Sequence, residues 1–186
     1  MDALKLKFDN SLQDKPLLLF FQDEGRFGRI NTLQRCWGPI NDRPIVCKQL
    51  IRQYTYAYTA VCPFTGETFS LILPYANSDS MKIFIEEMSK AYPNNRIAMI
   101  MDNASWHKDE EKIYPKNIKP IFLSARAPEL NPVENIWHYI KGKFFNNRIF
   151  ESIKKVEEKL CDVLAGLNDN KNIIKNIANY HWLSIL

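Results

Sequence analysis

Hydrophobic residues recur along the chain either as short unbroken runs or as stripes at i, i+3, i+4 and i+7, and the order of the two predicts the architecture. Residues 17–21 (Leu-Leu-Leu-Phe-Phe) form an apolar run of strand length, as in a strand covered on both faces, which stops at the polar Gln22, Asp23, Glu24 and Gly25. After an irregular stretch marked by Gly38, Pro39 and Pro44, residues 51–61 are rich in Tyr, Thr and Val. A further run, 71–73, follows Pro63, Phe64, Thr65 and Gly66, which is a hairpin signal. Met81, Phe84, Ile85 and Met88 give residues 80–92 a helical stripe, closed by Pro93. Residues 97–101 predict a second apolar strand ending at Asp102 and Asn103, then a short helical stretch, then a third strand over 118–123. Val133, Ile136, Trp137, Ile140 and Phe144 predict a helix over 132–145 with Asn131 as N-cap and Pro132 at its first position. Two more helices are predicted over 152–167 and 171–180. A hairpin followed by strand, helix and strand predicts an α/β domain with one mixed sheet and helices on both faces. Ligands of such folds gather at the carboxyl ends of the strands. There is no internal repeat, low-complexity tract or linker.

The 186 residues, 46% hydrophobic and 12% aromatic, suit one compact domain and exclude a disordered or fibrous chain. Cys36, Cys47, Cys62 and Cys161 form no C-x-x-C pair, and with three histidines they make no zinc pattern, so they are read as reduced thiols. No apolar run approaches the roughly 20 residues of a membrane span, and the N-terminus lacks the apolar segment of a secretory signal. A cytoplasmic location without membrane association is expected. Twenty-five Lys and Arg against 21 Asp and Glu leave +4, which permits a nucleic-acid partner without announcing one.

Candidate chemistry enters with two aspartates, each at the end of an apolar strand run: Asp23 and Asp102. On neighbouring strands they would stand about 5 Å apart laterally, a repulsive arrangement that a divalent cation relieves. Glu134, in the first turn of the helix after the third strand, supplies a third hard oxygen ligand, and such a set suits Mg²⁺ or Mn²⁺. Each residue also has a structural reading. Asp23 in Asp-Glu-Gly fits a turn, Asp102 with Asn103 fits a helix cap, and Glu134 fits the capping box begun by Asn131.

The surrounding residues settle which group to compare. Phe21-Gln-Asp23-Glu24-Gly-Arg-Phe27, Met101-Asp102-Asn103-Ala-Ser-Trp-His107-Lys and Ala127-Pro-Glu-Leu-Asn131-Pro132-Val-Glu134-Asn135-Ile-Trp137 resemble the three acidic motifs of the DDE transposases, specifically the mariner-like group and its bacterial insertion-sequence relatives. The third motif is the most specific. The resemblance runs over about residues 17–182, with residues 1–16 an N-terminal extension, and the whole of 1–186 a single catalytic domain. It implies a ribonuclease H-like five-stranded mixed sheet. It also implies that Asp23, Asp102 and Glu134 are the catalytic carboxylates and ligands of two Mg²⁺ ions, with Mn²⁺ as substitute. The interval from Asp102 to Glu134 is slightly shorter than in the family, and the segment 108–119 is where the shortening falls. Family members carry helix-turn-helix modules before the first strand, which 16 residues do not accommodate. Expectations are therefore a fragment, a separately encoded DNA-recognition subunit, or lost sequence recognition.

The implied activity is cleavage of transposon-end DNA and strand transfer into target DNA. Two ions about 3.5–4 Å apart serve both ends of an in-line displacement. Asp23 is then the bridging ligand, Asp102 a ligand of one ion, and Glu134 a ligand of the other and of the attacking water. Glu24 is the poorer candidate, since strand alternation turns it away. His138 and Lys141, at i+4 and i+7 from Glu134, together with Asn103 and His107, are candidate DNA contacts. Trp137 reads as core. Basic residues cluster at Lys141, Lys143, Arg148, Lys154 and Lys155 and at Arg26, Arg29 and Arg35, expected on opposite sides of the acidic centre, where they would give salt-dependent DNA affinity. A homodimer or larger assembly on DNA is expected. Two readings stand beside this one: a ribonuclease H-like nuclease on hybrid or branched nucleic acid, and an inactive domesticated relative that only binds DNA.

Overall fold

The computed structural model describes residues 12, 14–42, 44–104, 114–124, 128–178 and 180. Five strands form one sheet: β1 (Leu17–Ile30), β2 (Leu50–Val61), β3 (Thr68–Leu73), β4 (Arg96–Met101) and β5 (Ile118–Phe122), in the order β3-β2-β1-β4-β5. β1 runs antiparallel to β2 and parallel to β4, β2 is antiparallel to β3, and β4 is parallel to β5. The expected mixed five-stranded α/β sheet is therefore present. Its hairpin turns at Gly66, whose φ of 75° and close approach to the Lys171 carbonyl leave no room for a side chain.

Helix α1 (Ser78–Ala91) begins where Asn77 accepts from the Ser80 N–H at 2.9 Å, and it buries Met81, Phe84, Ile85 and Met88. Those side chains pack on Phe20, Tyr58, Ile97, Met99 and Met101 on one face of the sheet. The other face carries α2 (Val133–Ile140), α3 (Ile153–Asn168) and α4 (Lys171–Ile177), packed on Phe21, Phe27, Ala57, Val61 and Ile100. α3 starts under a Ser152 cap, with Oγ accepting from the Lys155 N–H.

Two expectations are corrected. β1 does not stop at Gln22; it runs on to Ile30, 14 residues in all, with Asp23 paired to Thr59 and Glu24 to Tyr58. What ends near Asp23 is the pairing with β4, whose last rung is Phe21 to Ile100. Hydrogen bonding to β2 keeps the backbone extended where polarity signalled a turn. The helix predicted over 132–145 is likewise two pieces: α2 begins at Val133, and Lys141–Phe145 is a π-helical turn closing on Asn146, whose N–H reaches the Lys141 carbonyl at 2.8 Å. Asn131 still satisfies the Val133 N–H through its Oδ1 at 3.2 Å, one residue outside its expected place. The short helical stretch after Asn103 lies outside the described residues.

Candidate active site

Asp23 lies in the interior of β1 on the α2 face, next to Phe21 and two residues from Gly25. The parallel register of β1 and β4, Phe21 opposite Ile100, sets Asp102 level with Asp23 just past the end of β4. Neighbouring strands are about 4.8 Å apart, so the two backbones bring these carboxylates to one edge of the sheet. Glu134 is exposed on the first turn of α2. The start of α2 is tied to β1 by Asn131, buried, whose Nδ2 donates to the Gln22 carbonyl at 2.9 Å.

Asp23 and Glu134 both line one cleft of about 510 Å³, together with Arg26, Tyr54, Trp137, Lys141, Phe145 and Arg148. Residues 134, 137, 141 and 145 are spaced by three, four and four, so α2 and the π turn present a single face to it. The two basic clusters were expected on opposite sides of the acidic centre, but Arg26, Lys141 and Arg148 converge here. The pairing of β1 with β2 carries Arg26 past the carboxylates to the mouth that α2 overhangs. Two of these cations rest on rings: the Arg26 guanidinium lies 4.7 Å from the centre of Tyr54, and Lys141 Nζ lies 5.5 Å from that of Phe27.

Burial pushes the Asp23 carboxyl up from 3.8 to about 7. The indole N–H of Trp137 opposes that rise, while the neighbouring negative charges of Glu24 and Glu134 add to it. The Nε1 of Trp137 meets Asp23 Oδ2 at 2.8 Å. Asp102 is exposed and its Oδ1 accepts from the Ala104 N–H at 3.1 Å, a bond within its own turn, while the helix it was expected to cap lies outside the described residues. The Glu134 N–H reaches the Asn131 carbonyl at 3.1 Å, but among the described residues no bond from the Glu134 carboxylate returns to the Asn131 N–H, so the reciprocal half of the capping box is absent there. Also among the described residues, no three acidic, histidine or cysteine side chains stand close enough together to hold an ion as they are. The donor chemistry nevertheless suits a hard divalent cation: only carboxylate oxygens, one of them half-buried and crowded by like charge.

The remaining candidates scatter. Glu24 also lines the cleft, but it pairs with Tyr58 on the α1 side and accepts from Gln22 Nε2 at 3.1 Å. His138 and Asn103 are exposed and outside the cleft lining, and Lys143 folds back on Tyr139 and Phe144. Arg29 serves the scaffold through the Phe150 carbonyl at 2.9 Å, and Lys155 pairs with Glu158 at 2.7 Å. His107 lies outside the described residues. The site residue that sequence reasoning undervalued is Trp137. It belongs to the core, as its stripe indicates, yet its polar tip serves Asp23. Its position three residues after Glu134, in a stripe otherwise aliphatic or phenyl, was the available signal. The cysteines are free thiols, three exposed and Cys62 buried, and no described helix is long and apolar enough to cross a membrane.

Comparison with known proteins bears on the fold and the family. The structure of the Mos1 strand transfer complex matches with a TM-score of 0.65 at 14% identity, over 86% of this chain and 50% of that one. The Mos1 mariner paired end complex with Mn matches at 0.61 and 14% identity, over 86% and 53%. The fold is thus ribonuclease H-like as in those proteins, and the chain spans about half their length. A protein of Sinorhizobium fredii, the uncharacterized protein y4pE/y4sA, is 33% identical over 130 residues, which is 69% of this chain and 96% of that one. A model of the DDE superfamily endonucleases matches residues 18–157, running from β1 through both aspartates and Glu134 into α3, and the chain belongs to that family.

Proposed function

We propose that this domain is the catalytic part of a DNA transposase, cutting transposon-end DNA and joining it to target DNA in Mg²⁺ or Mn²⁺. The observation that carries the reading is the meeting of Asp23 and Glu134 in one basic-rimmed cleft, with Asp102 level with Asp23 on the adjoining strand. Asp23, Asp102 and Glu134 would hold the ions. When bound, divalent ions polarise phosphoryl oxygens and lower the pKa of coordinated water.

The chain's own residues supply the rest. Arg26, Lys141 and Arg148 neutralise phosphates on either side of the scissile one, and the aromatic supports of Arg26 and Lys141 limit the entropy those two lose in doing so. Glu134, exposed at the cleft, takes the proton of the attacking water. The P–O3′ bond breaks, leaving a 3′-hydroxyl and a 5′-phosphate. In the joining step that hydroxyl is the nucleophile toward a target phosphodiester. Sequence choice falls to another polypeptide or segment, and self-association on paired DNA ends accompanies activity. Its working place is the cytoplasm, at the nucleoid.

The test is cleavage of transposon-end duplex by the purified chain with Mn²⁺ or Mg²⁺. Metal-dependent nicking that disappears in Asp102→Asn supports the reading. Retained nicking in that variant overturns it, cleavage confined to RNA–DNA hybrid replaces it with a ribonuclease H-like nuclease, and DNA binding without any nicking replaces it with an inactive relative.

A further inference from the structure

The contact between Trp137 and Asp23 has more structure around it than core packing requires. Trp137 is 3% exposed, and its ring lies across β1, edge-on to Phe27 with centroids 5.8 Å apart. It passes directly over Gly25: a Cβ there would come within 2.8 Å of Trp137 Cδ2. Asp23, Gly25 and Phe27 alternate onto one face of the strand, so the indole is clamped by the same strand whose carboxylate it touches. Any large apolar side chain would fill the space over Gly25 and beside Phe27. Only an indole also delivers an N–H, and that N–H ends on Asp23 Oδ2 at 2.8 Å.

A carboxylate needs such a partner. The last torsion of aspartate is broad and roughly two-fold, so β1 alone does not set the direction of its oxygens. We infer that Trp137 is a positioning residue: through its clamped indole N–H it fixes the rotation of the Asp23 carboxylate, so that a divalent cation meets a preset ligand. Gly25 is the second half of the device, since its missing side chain is what lets the ring lie there. The inference rests on the proposed role of Asp23 as an ion ligand.

Its test uses the full chain and Mn²⁺ alone, with binding read by the electron paramagnetic resonance signal of free Mn²⁺. Nicking of supercoiled plasmid against Mn²⁺ concentration gives a second reading. Trp137→Phe keeps the ring and removes the donor. The expected result is a Mn²⁺ half-saturation about 10-fold or more above wild type, the usual cost of losing a group that orients a ligand, with nicking largely recovered at saturating Mn²⁺. Unchanged half-saturation, or a loss of nicking that saturating Mn²⁺ does not restore, overturns the inference. Should Trp137→Phe fail to fold, Gly25→Ala decides, because it displaces the ring and leaves its chemistry intact: a raised half-saturation supports the role and a wild-type value overturns it. Wild-type protein whose Mn²⁺ binding is indifferent to Asp23→Asn refutes the proposed function itself, an outcome visible without either Trp137 or Gly25 variant.

Discussion

Asn131 and Gln22, 109 positions apart, are joined by a hydrogen bond of 2.9 Å from the Asn131 side chain to the Gln22 carbonyl, and this bond sets where α2 begins against β1. Because Gln22 precedes Asp23 and Asn131 lies one turn before Glu134, a single buried amide holds the two cleft carboxylates in mutual position. Its other end accepts from the Val133 N–H.

Asn131→Ala therefore leaves a buried carbonyl and a helix N–H unsatisfied and is expected to cost about 1–3 kcal/mol in urea unfolding. Asn131→Asp restores the acceptor but not the donor and should fall between wild type and the alanine variant. Equal stability of all three would show that neither bond matters to the fold.

Glu134 is exposed, so Glu134→Gln should unfold within about 0.5 kcal/mol of wild type. Metal-dependent nicking should nevertheless fall by ~10² or more, since losing a direct ligand costs at least as much as losing an orienting partner. Parallel melts and plasmid nicking check the two halves of the expectation.

For Asp23 the folded value of about 7 exceeds the reference 3.8, so between those pH values the native state holds a proton that the unfolded chain has released. The linkage then has a definite sign: in the chelator-treated protein this group's contribution is full below pH 4 and is lost as the pH rises through 7, by up to ~4 kcal/mol. Asp23→Asn should remove that part of the pH dependence and be more stable than wild type at pH 8. Urea unfolding of both proteins at pH 5 and pH 8 measures the difference. Mn²⁺, which needs the ionised carboxylate, should bind wild type more tightly as the pH is raised from 6 to 8.

Arg26, Lys141 and Arg148 face one cleft and carry no ion pair among the described residues. Replacing each by alanine should weaken duplex binding without regard to sequence, and each loss should reduce the slope of log affinity against log salt by about 1. Lys155→Ala, which removes a cation paired to Glu158, should leave that slope unchanged. Fluorescence anisotropy at several salt concentrations distinguishes the two cases.

Much of the fold was legible because it rests on periodicity. The unbroken run before Gln22 marks a central strand and the stripe through Met81, Phe84, Ile85 and Met88 marks a helix, and both elements are present, the strand longer than its apolar run. The Asp23-Glu24-Gly25 tripeptide carries the local signal of a strand end because turn propensity holds no knowledge of a partner strand, and pairing with Thr59 and Tyr58 overrides it. For the same reason the two basic clusters were placed apart: their convergence depends on how far β1 extends beneath α2.

The sequence by itself determined the order of elements and the two helix-covered faces of the sheet, since these follow from spacing, and the resemblance of its three motifs named Asp23, Asp102 and Glu134 as the candidate acids. Tertiary structure alone decided what those acids experience. Burial and like charge raise Asp23, an indole from 114 positions away opposes that rise, Glu134 shares the cleft, and Asp102 stands level but bonded to its own turn. Electrostatic environment is a property of distances in space, and no periodicity along a chain encodes it.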